Sequence, residues 1–248
     1  MTQEELLGLF GTISLERMDS VSLMNRVDTK YLTSRERMLE LLRKALQEGY
    51  LVLENPEGGR TTAYDSVYFD TPGRRMYLLH HARRLVRTKI RARTYLSSGL
   101  TFLEVKLKNN HGRTKKKRVR IDSASRWTDA EEFFFGKTGY RAADLSEALR
   151  TDFTRITLVN PELTERVTID CDLCFEDLRG GAEFSLGNAV IIELKQDALR
   201  SSTMKALLLS CRIHPKRISK YCIGTALTVP GIKKNNFNEK IRILSKLI

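Results

Sequence analysis

The sequence has few cysteines and no long apolar run, and both absences exclude whole classes of protein. Four Cys in 248 residues are too few for a disulfide framework, which fits a reducing compartment. Cys171 and Cys174 have CxxC spacing, but no second CxxC and no paired His accompany them, so zinc is not expected. No stretch approaches the roughly 20 apolar residues of a membrane-spanning helix. Since the N-terminus is acidic and unlike a secretory signal, we expect a cytoplasmic protein.

The sequence also lacks a GxxxxGK[ST] loop, which disfavours a P-loop nucleotide-binding fold. No internal repeat and no low-complexity linker interrupts it. Hydrophobic residues make up 41% and charged residues 29% of the chain, an ordinary composition for a globular protein with a core. We therefore expect a single domain over residues 1–230, followed by a basic tail over residues 231–248.

Positive charge is present in excess. The chain has 43 Lys and Arg against 30 Asp and Glu, and its net charge is +13. Such a balance favours a polyanionic partner such as nucleic acid, a phosphate polymer or anionic lipid. Because the basic residues lie within predicted strands rather than on a surface helix or an aromatic-studded sheet, nucleic acid is not expected to be the main partner.

Strand and helix signals both occur, which predicts an α+β fold. Two sets of β-prone stretches bounded by turn residues predict antiparallel strands, at 83–95, 100–108, 114–122, 152–159, 165–175 and 189–195. Helical patterns are predicted at 4–9, 35–48, 128–150 and 201–227. Ser34 is the expected N-cap of the second of these helices.

Basic side chains recur at every second position within the predicted strands. Since residues two apart share one face of a strand, each strand has a charged face and an apolar face. The charged faces carry Arg26, Asp28 and Lys30, then Arg87, Lys89, Arg91 and Arg93, then Glu104, Lys106 and Lys108, then Lys116, Arg118 and Arg120, and finally Glu193 and Lys195. The sequence does not fix which alternate residues of the third strand of the first set lie on its charged face, because residues 115–117 are three consecutive Lys. A shift of its register by one residue is therefore an open alternative.

Two interpretations of these faces are open. In an ordinary sandwich they would be solvated, since exposed Lys and Arg are the norm. However, like charges on neighbouring strands repel each other unless an anion lies between them. If the sheet closes on itself, the charged faces line its interior and the apolar faces pack against helices. A buried face of this kind needs a polyanion, counter-charges and metal to neutralise it, which predicts a polyanion-binding interior.

The motifs that carry these charges resemble those of the vacuolar transporter chaperone (VTC) domain, the polyphosphate polymerase branch of the triphosphate tunnel metalloenzymes. The resemblance extends from Arg26 to Gly224 and depends on an ordered set of short motifs. The set comprises RVDTKY (26–31), YDSVYFDTP (64–72), KIRAR (89–93), FLEVKLK (102–108), KKKRVRI (115–121), Arg155 with Arg166, IIELK (191–195) and ISKYCIG (218–224). The first motif departs from the family, which commonly has Glu where this chain has Asp28.

The resemblance implies a fold and an activity. The fold is a closed antiparallel eight-stranded β-barrel, the triphosphate tunnel, with flanking helices. The activity is transfer of the γ-phosphate of ATP to a growing polyphosphate or pyrophosphate chain, with Mn²⁺ or Mg²⁺ as cofactor. Two alternatives remain: a triphosphatase or polyphosphatase, and a non-catalytic module that binds polyphosphate or an inositol polyphosphate. In eukaryotic relatives this domain is joined to membrane domains, so a separate membrane partner is one further possibility that the resemblance implies.

The resemblance also assigns residues by position. Catalytic roles are expected for Lys30, Arg91, Arg93, Lys106, Glu193 and Lys220. Further phosphate contacts are expected from Arg26, Lys89, Lys108, Lys116, Arg118, Arg155, Arg166, Lys195 and Lys216. Glu193 is the expected metal ligand and Glu104 a second candidate, for which pairing with a neighbouring Lys is the alternative. These residue types suit the chemistry, because Arg grips phosphate oxygens bidentately, Lys is a compact point charge, and Mg²⁺ or Mn²⁺ needs few protein carboxylates beside phosphate oxygens.

Overall fold

The computed structural model of the protein describes residues 1–19, 26–111, 113–197 and 201–248; for Asp19 and Arg26 it describes the backbone only. The strands are β1 (Gly11–Ile13), β2 (Arg26–Ser34), β3 (Leu51–Leu53), β4 (Thr62–Asp70), β5 (Arg87–Tyr95), β6 (Thr101–Lys108), β7 (Thr114–Ile121), β8 (Ser146–Val159), β9 (Glu165–Glu176), β10 (Glu183–Ser185) and β11 (Ala189–Asp197). The α-helices are α1 (Gln3–Gly8), α2 (Leu15–Asp19), α3 (Arg35–Gln47), α4 (Arg75–His81), α5 (Glu131–Thr138), α6 (Thr203–Ser210), α7 (Lys220–Thr228) and α8 (Asn238–Leu244). Short 3₁₀ helices occur at Ala124–Ala130, Ala142–Asp144 and Asn235–Phe237.

A curled antiparallel sheet forms the centre of the α+β fold. In the described residues, eight strands follow one another in the order β2, β11, β9, β8, β4, β5, β6, β7, and each neighbouring pair is antiparallel. Three short strands lie off this path: β1 pairs with β3, β3 also pairs with β8, and β10 pairs with β9. The eight-stranded antiparallel sheet with flanking helices is as expected.

The expected closure of the barrel is wrong. Strands β2 and β7 are the two ends of the strand order, and no ladder of hydrogen bonds joins them within the described residues. The sheet is therefore an open half-barrel with a concave and a convex face. Like charges lie near the opening: burial first, and then the charge of Lys30 on β2, lowers the pKa of Lys106 on β6. Without an anion between them, such charges oppose closure.

Helices cover the convex face in two places. The face of β2, β11, β9 and β8 packs against α1, α3 and α6, where Met38, Leu41 and Leu42 are fully buried. Helix α3 begins where predicted, since the side chain of Ser34 accepts a hydrogen bond from the backbone N–H of Arg37. The face of β4, β5, β6 and β7 packs against the 3₁₀ helix at Ala124–Ala130 and against α5. The apolar faces of the charged strands thus supply the core, as predicted.

A third apolar cluster fills one part of the concave face. Helix α7 lies there, and its Tyr221 and Ile223 are buried among residues of β4, β8 and β9. The segment 231–248 adds Phe237 and Leu244 to the same cluster. Helix α7 therefore holds its first residue, Lys220, against the charged part of the concave face.

The predicted strands are confirmed, and two predicted helices need correction. The helix predicted over 128–150 is correct for α5, which ends at Thr138 before Gly139, and wrong from residue 146, where β8 begins. Leu145, Ala148 and Leu149 have helical spacing, but pairing of β8 with β4 on one side and β9 on the other decides the structure. The helix predicted over 201–227 is two helices, α6 and α7, because the segment between them contains Pro215, which forms an isolated bridge with Tyr31.

Candidate functional site

The pairing registers place the charged residues of neighbouring strands side by side. Across β5, β6 and β7, Lys89 lies opposite Lys106, and Lys106 lies opposite Lys116. The next row of the same face consists of Arg91, Glu104 and Arg118. The register of β7, which the sequence left open, therefore puts both Lys116 and Arg118 on the concave side.

The other half of the sheet continues this surface. Lys30 on β2 lies opposite Glu193 on β11, and Glu193 lies opposite Thr168 on β9. Arg155 on β8 lies opposite Asp170 on β9. We call the charged part of the concave surface the charged face; it comprises Lys30, Lys89, Arg91, Arg93, Glu104, Lys106, Lys116, Arg118, Arg155, Arg166, Asp170, Glu193, Lys195 and Lys220.

Glu104 is an internal counter-charge for two of the predicted phosphate ligands. Its carboxylate is buried, with Oε2 2.7 Å from Nε of Arg91 and Oε1 2.5 Å from Nζ of Lys116. Burial by itself raises the pKa of Glu104, but the charges of Arg91, Arg93 and Lys116 outweigh it and hold the pKa well below its usual range. Both oxygens are thus engaged in the pairing that the sequence offered as the alternative to metal binding.

Asp170 is likewise an internal counter-charge for two of the predicted phosphate ligands, Arg155 and Lys220. Its Oδ1 lies 2.6 Å from Nε of Arg155, and its Oδ2 lies 2.9 Å from Nη2 of Arg155 and 2.5 Å from Nζ of Lys220. Burial raises the pKa of Asp170, but the charges of Arg155 and Lys220 lower it by more, so the carboxyl is ionised. Asp170, which the sequence interpretation did not include, therefore brings together Arg155 and Lys220, two of the expected phosphate ligands.

Glu193 differs from both of these carboxylates. Among the described residues its carboxylate accepts no hydrogen bond, and its one ion pair is with Lys195 at 3.6 Å. The charge of Lys30, together with those of Lys195, Arg155 and Lys106, outweighs burial and holds the pKa of Glu193 far below its usual range. An ionised carboxylate without a hydrogen bond fits a ligand for Mg²⁺ or Mn²⁺ when phosphate oxygens supply the other positions. No group of three or more His, Cys, Asp or Glu side chains within the described part of the chain could hold a metal ion by itself.

Several lysines on the charged face have weakened proton affinity. Burial lowers the pKa of Lys89 to about 8, and the charges of Lys30, Lys106 and Arg87 add to the effect. Burial and the charge of Lys30 lower the pKa of Lys106 in the same direction. Nearby cations and burial both disfavour the charged form of lysine, so an anion placed among these side chains removes part of the penalty.

Arg93 is the most buried of the predicted arginines. It is 6% exposed, its Nε donates to the hydroxyl of Ser66, and its guanidinium lies 5.1 Å from the ring centroid of Tyr64. Burial, together with the charge of Arg91, lowers the pKa of Arg93 to about 10. Tyr64 and Phe153, whose rings stack 5.2 Å apart, form the aromatic floor below Arg93 and Arg155.

The remaining predicted ligands lie at the edges of the charged face or beyond it. Lys195 lies beside Glu193, Arg166 donates to the carbonyl oxygen of Met18, and the guanidinium of Arg118 lies 4.7 Å from the ring centroid of Phe102. Lys108 lies opposite Arg87 at one end of β6. Lys216 pairs with Glu239 at 3.0 Å and does not join the two carboxylate clusters, which are Glu104 with Arg91 and Lys116 and Asp170 with Arg155 and Lys220. The side chain of Arg26 lies outside the described residues.

A family model decides the identity of this fold. The model of the VTC domain matches residues 25–132 and 138–229, which include every strand of the eight-strand order. The chain belongs to the VTC domain family. Its matched residues include both carboxylate clusters and Glu193, so the charged face is part of the VTC domain itself.

Solved structures agree with the VTC domain in fold. A candidate adenylyl cyclase from Hippeastrum with a dominant triphosphatase activity is 15% identical, with a TM-score of 0.52, and the match covers 83% of this chain and 98% of that one. A candidate adenylate cyclase from Bacillus halodurans is 12% identical, with a TM-score of 0.50, and the match covers 79% of this chain and 96% of that one. No curated protein matches this chain. Within its described residues, no helix is both long and apolar enough to span a membrane.

The sequence interpretation missed Asp170 and the aromatic floor. Asp170 was detectable, because it stands four residues after Arg166 in β9 and therefore on the same face. Tyr64 lay inside a motif that the family resemblance had already used. Phe153 had no comparable signal, since an aromatic residue two positions before Arg155 reads equally well as core.

Proposed function

We propose that this VTC domain is a polyphosphate polymerase that transfers the γ-phosphate of ATP to a growing polyphosphate or pyrophosphate chain on the charged face, with Mg²⁺ or Mn²⁺. The observation that carries the proposal is the row of Lys89 and Lys106 near Lys30 and Glu193. Within the described residues Lys89 and Lys106 form no ion pair with a carboxylate, so their charge is available to phosphate. Family membership supports an enzyme that acts on triphosphates.

The charged face has the properties that phosphoryl transfer requires. The reaction needs in-line geometry and positive charge around the equatorial phosphate oxygens more than it needs covalent help from the protein. Arg91 and Arg155 are held in fixed orientations by Glu104 and Asp170, which suits the placing of phosphate oxygens. Lys30, Lys89 and Lys106 supply further charge. A terminal oxygen of the chain attacks the γ-phosphorus, the bond from that phosphorus to the bridging oxygen breaks, and ADP leaves.

The divalent cation would be held by Glu193 together with phosphate oxygens. It would neutralise charge that develops on the oxygens during transfer. The charge of Lys30, with that of Lys195 at 3.6 Å from Glu193, keeps this carboxylate ionised at neutral pH, the form that binds a divalent cation. Glu104 does not fit this role in the present arrangement, because both of its oxygens are already paired.

A triphosphatase would use the same cations and direct water at the terminal phosphorus. The charged face favours the polymerase, because the resemblance associates hydrolytic relatives with a denser set of paired Glu at the metal. Of the three carboxylates named in the charged face, Glu104, Asp170 and Glu193, the last is the one without a hydrogen bond among the described residues. The Hippeastrum protein is the observation that favours the hydrolase alternative, because its fold is similar and its dominant activity is that of a triphosphatase.

The products decide among the alternatives. The purified protein is incubated with ATP and Mn²⁺, and the products are separated by chain length. Long polyphosphate together with ADP supports the polymerase, whereas free phosphate alone refutes it in favour of the hydrolase. Retention of tripolyphosphate with no turnover, with or without Mn²⁺, indicates a binding module instead.

Two substitutions test whether the charged face is the site. Arg93→Ala removes a buried cation and Glu193→Gln the proposed metal ligand, and each should lower turnover by about a hundredfold or more. Arg93→Ala should also weaken tripolyphosphate binding, whereas Glu193→Gln should mainly abolish the response to Mn²⁺. Arg126→Ala is the matched control, because Arg126 is 63% exposed and pairs with Asp129 away from the face. Unchanged activity in both test variants would place the site elsewhere.

A further inference from the structure

Asp170 lies at the centre of a buried cluster of three charges. Its side chain is 5% exposed, that of Lys220 is 10% exposed and that of Arg155 is 15% exposed. Arg155 comes from β8 and forms two hydrogen bonds to the carboxylate, while Lys220 comes from α7 and forms one. Within the described residues, Asp170 is the one carboxylate that forms an ion pair with either cation.

Aromatic rings hold the same two cations from another side. Nζ of Lys220 lies 3.0 Å from the ring centroid of Phe153, and the guanidinium carbon of Arg155 lies 5.4 Å from it. The guanidinium is also 5.2 Å from the ring centroid of Tyr64. Ring faces attract cations but contribute no charge, so Asp170 is the carboxylate that pairs directly with both cations, and with both of them protonated the three groups have one net positive charge.

The cluster also fixes the start of α7. Lys220 is the first residue of that helix, and Ser219, its N-cap, accepts a hydrogen bond from Nζ of Lys89 at 2.7 Å. Asp170 therefore connects the floor of the charged face to α7, and through Ser219 to Lys89. A substitution of Asp170 is therefore expected to affect Arg155 and Lys220 directly and Lys89 through Ser219.

We propose that Asp170 is a positioning residue that stands in for phosphate in the empty VTC domain: it holds Arg155 and Lys220 in place until the phosphate chain shares them. The proposal rests on the charged face being the phosphate site. Burial, together with the charges of Arg155 and Arg93, lowers the pKa of Lys220 well below its ordinary value, whereas the charge of Asp170 raises it, so an anion at this position favours the protonated lysine. The carboxylate has two consequences: it stabilises the empty domain, and it weakens phosphate binding by repulsion.

The substitution Asp170→Asn separates these two consequences. It keeps the shape of the side chain and removes its charge, so the cluster gains a net unit of positive charge. The melting temperature without ligand should fall, because two buried cations lose their counter-charge. Tripolyphosphate should restore stability and bind about tenfold more tightly than it binds the wild type, since one repulsive charge is gone. The turnover number should nevertheless fall, because Arg155 and Lys220 are no longer oriented.

The assay is thermal unfolding of the full chain with and without tripolyphosphate, with no metal added, followed by titration calorimetry. Asp177→Asn is the matched control, because Asp177 is equally buried and pairs with Arg74 but has no ion pair with a cation of the charged face. It should lower the melting temperature and leave the affinity for tripolyphosphate unchanged. Asp170→Glu, which retains the charge, should bind tripolyphosphate with an affinity close to that of the wild type.

The outcomes distinguish this inference from the proposed function. If tripolyphosphate fails to stabilise the wild type, the charged face is not the phosphate site. That result would refute both the proposed function and the inference about Asp170. If it stabilises the wild type but Asp170→Asn binds it no more tightly, Asp170 is a structural residue only and this inference alone is refuted. Should Asp170→Asn not fold, the double substitution Asp170→Asn with Lys220→Gln restores the net charge. Compared with Lys220→Gln alone, it should bind tripolyphosphate about tenfold more tightly, and equal affinities would refute the inference.

Discussion

Lys89 makes phosphate binding depend on pH in a direction that can be worked out. Its pKa in the empty domain is about 8, because burial and the charges of Lys30, Lys106 and Arg87 disfavour protonation. A bound triphosphate would compensate these charges and return the pKa towards the ordinary value of about 10.4. The bound form then holds the proton more tightly than the free form. Binding therefore takes up protons near pH 8, and affinity falls as the pH rises through the free pKa.

The size of the effect follows from the two pKa values. For a lysine that moves from about 8 to about 10.4 on binding, proton linkage weakens the affinity about tenfold between pH 7 and pH 9. At pH 8 the free lysine is half protonated and the bound lysine is almost fully protonated, so Lys89 contributes an uptake of about half a proton for each triphosphate bound. The terminal phosphate of ATP is largely ionised across this range, since a phosphate monoester has its second pKa near 6.

Titration calorimetry measures both quantities. ATP binding is followed from pH 7 to pH 9 in EDTA, which prevents turnover, and in buffers of different ionisation enthalpy, which report the protons taken up. Lys89→Arg is the matched variant, because arginine stays ionised throughout this range. Its affinity should decline less over the two pH units than that of the wild type. An equal decline in the two proteins, or a flat wild-type profile, would refute the assignment of Lys89 to the phosphate site.

Two further predictions test the packing that supports the charged face. In Gly224→Ala the new Cβ would lie 2.6 Å from Cδ1 of Phe175 and 2.7 Å from Cδ2 of Leu149, which should cost about 1–3 kcal/mol in urea unfolding, whereas Gly136→Ala, with no atom within 4 Å, should be neutral or slightly stabilising. Asp70, fully buried, accepts hydrogen bonds from the backbone N–H groups of Met76 and Tyr77 and from the hydroxyl of Tyr221. Asp70→Ala should cost about 3 kcal/mol or more by the same measurement, and Tyr221→Phe less, because it removes only one of the hydrogen bonds that Asp70 accepts.

The periodicity of the sequence predicted the faces of the sheet but not its closure. Alternation of charged and apolar residues is a local property, so it placed Arg91, Lys106 and Glu193 on the concave side correctly. Closure depends on whether β2 and β7 meet, and no local pattern encodes the distance between two strands so far apart in the chain. The repulsion between Lys30 and Lys106 is visible only once the sheet has curled.

The pairing of charges was likewise only partly predictable. The sequence put Glu104 among basic residues and offered pairing as one of its two roles, yet the choice required the register of β7, which brings Lys116 within 2.5 Å. Asp170 shares its face with Arg166, but its partners Arg155 and Lys220 come from β8 and from a helix 50 residues further along the chain. Contacts of that kind arise from the topology, which a pattern of alternation does not specify.

The distribution of carboxylates explains how so basic a surface can fold and still bind phosphate. If every cation of the charged face had its own acid, the face would have no net attraction for a polyanion. If none had one, burying the cations would cost more than the core could offset. In the described structure Glu104 and Asp170 pair with Arg91 and Arg155, whose forked side chains profit most from a fixed orientation. Lys89 and Lys106 have no such partner there, and their lowered pKa values are the cost that a bound phosphate chain would remove.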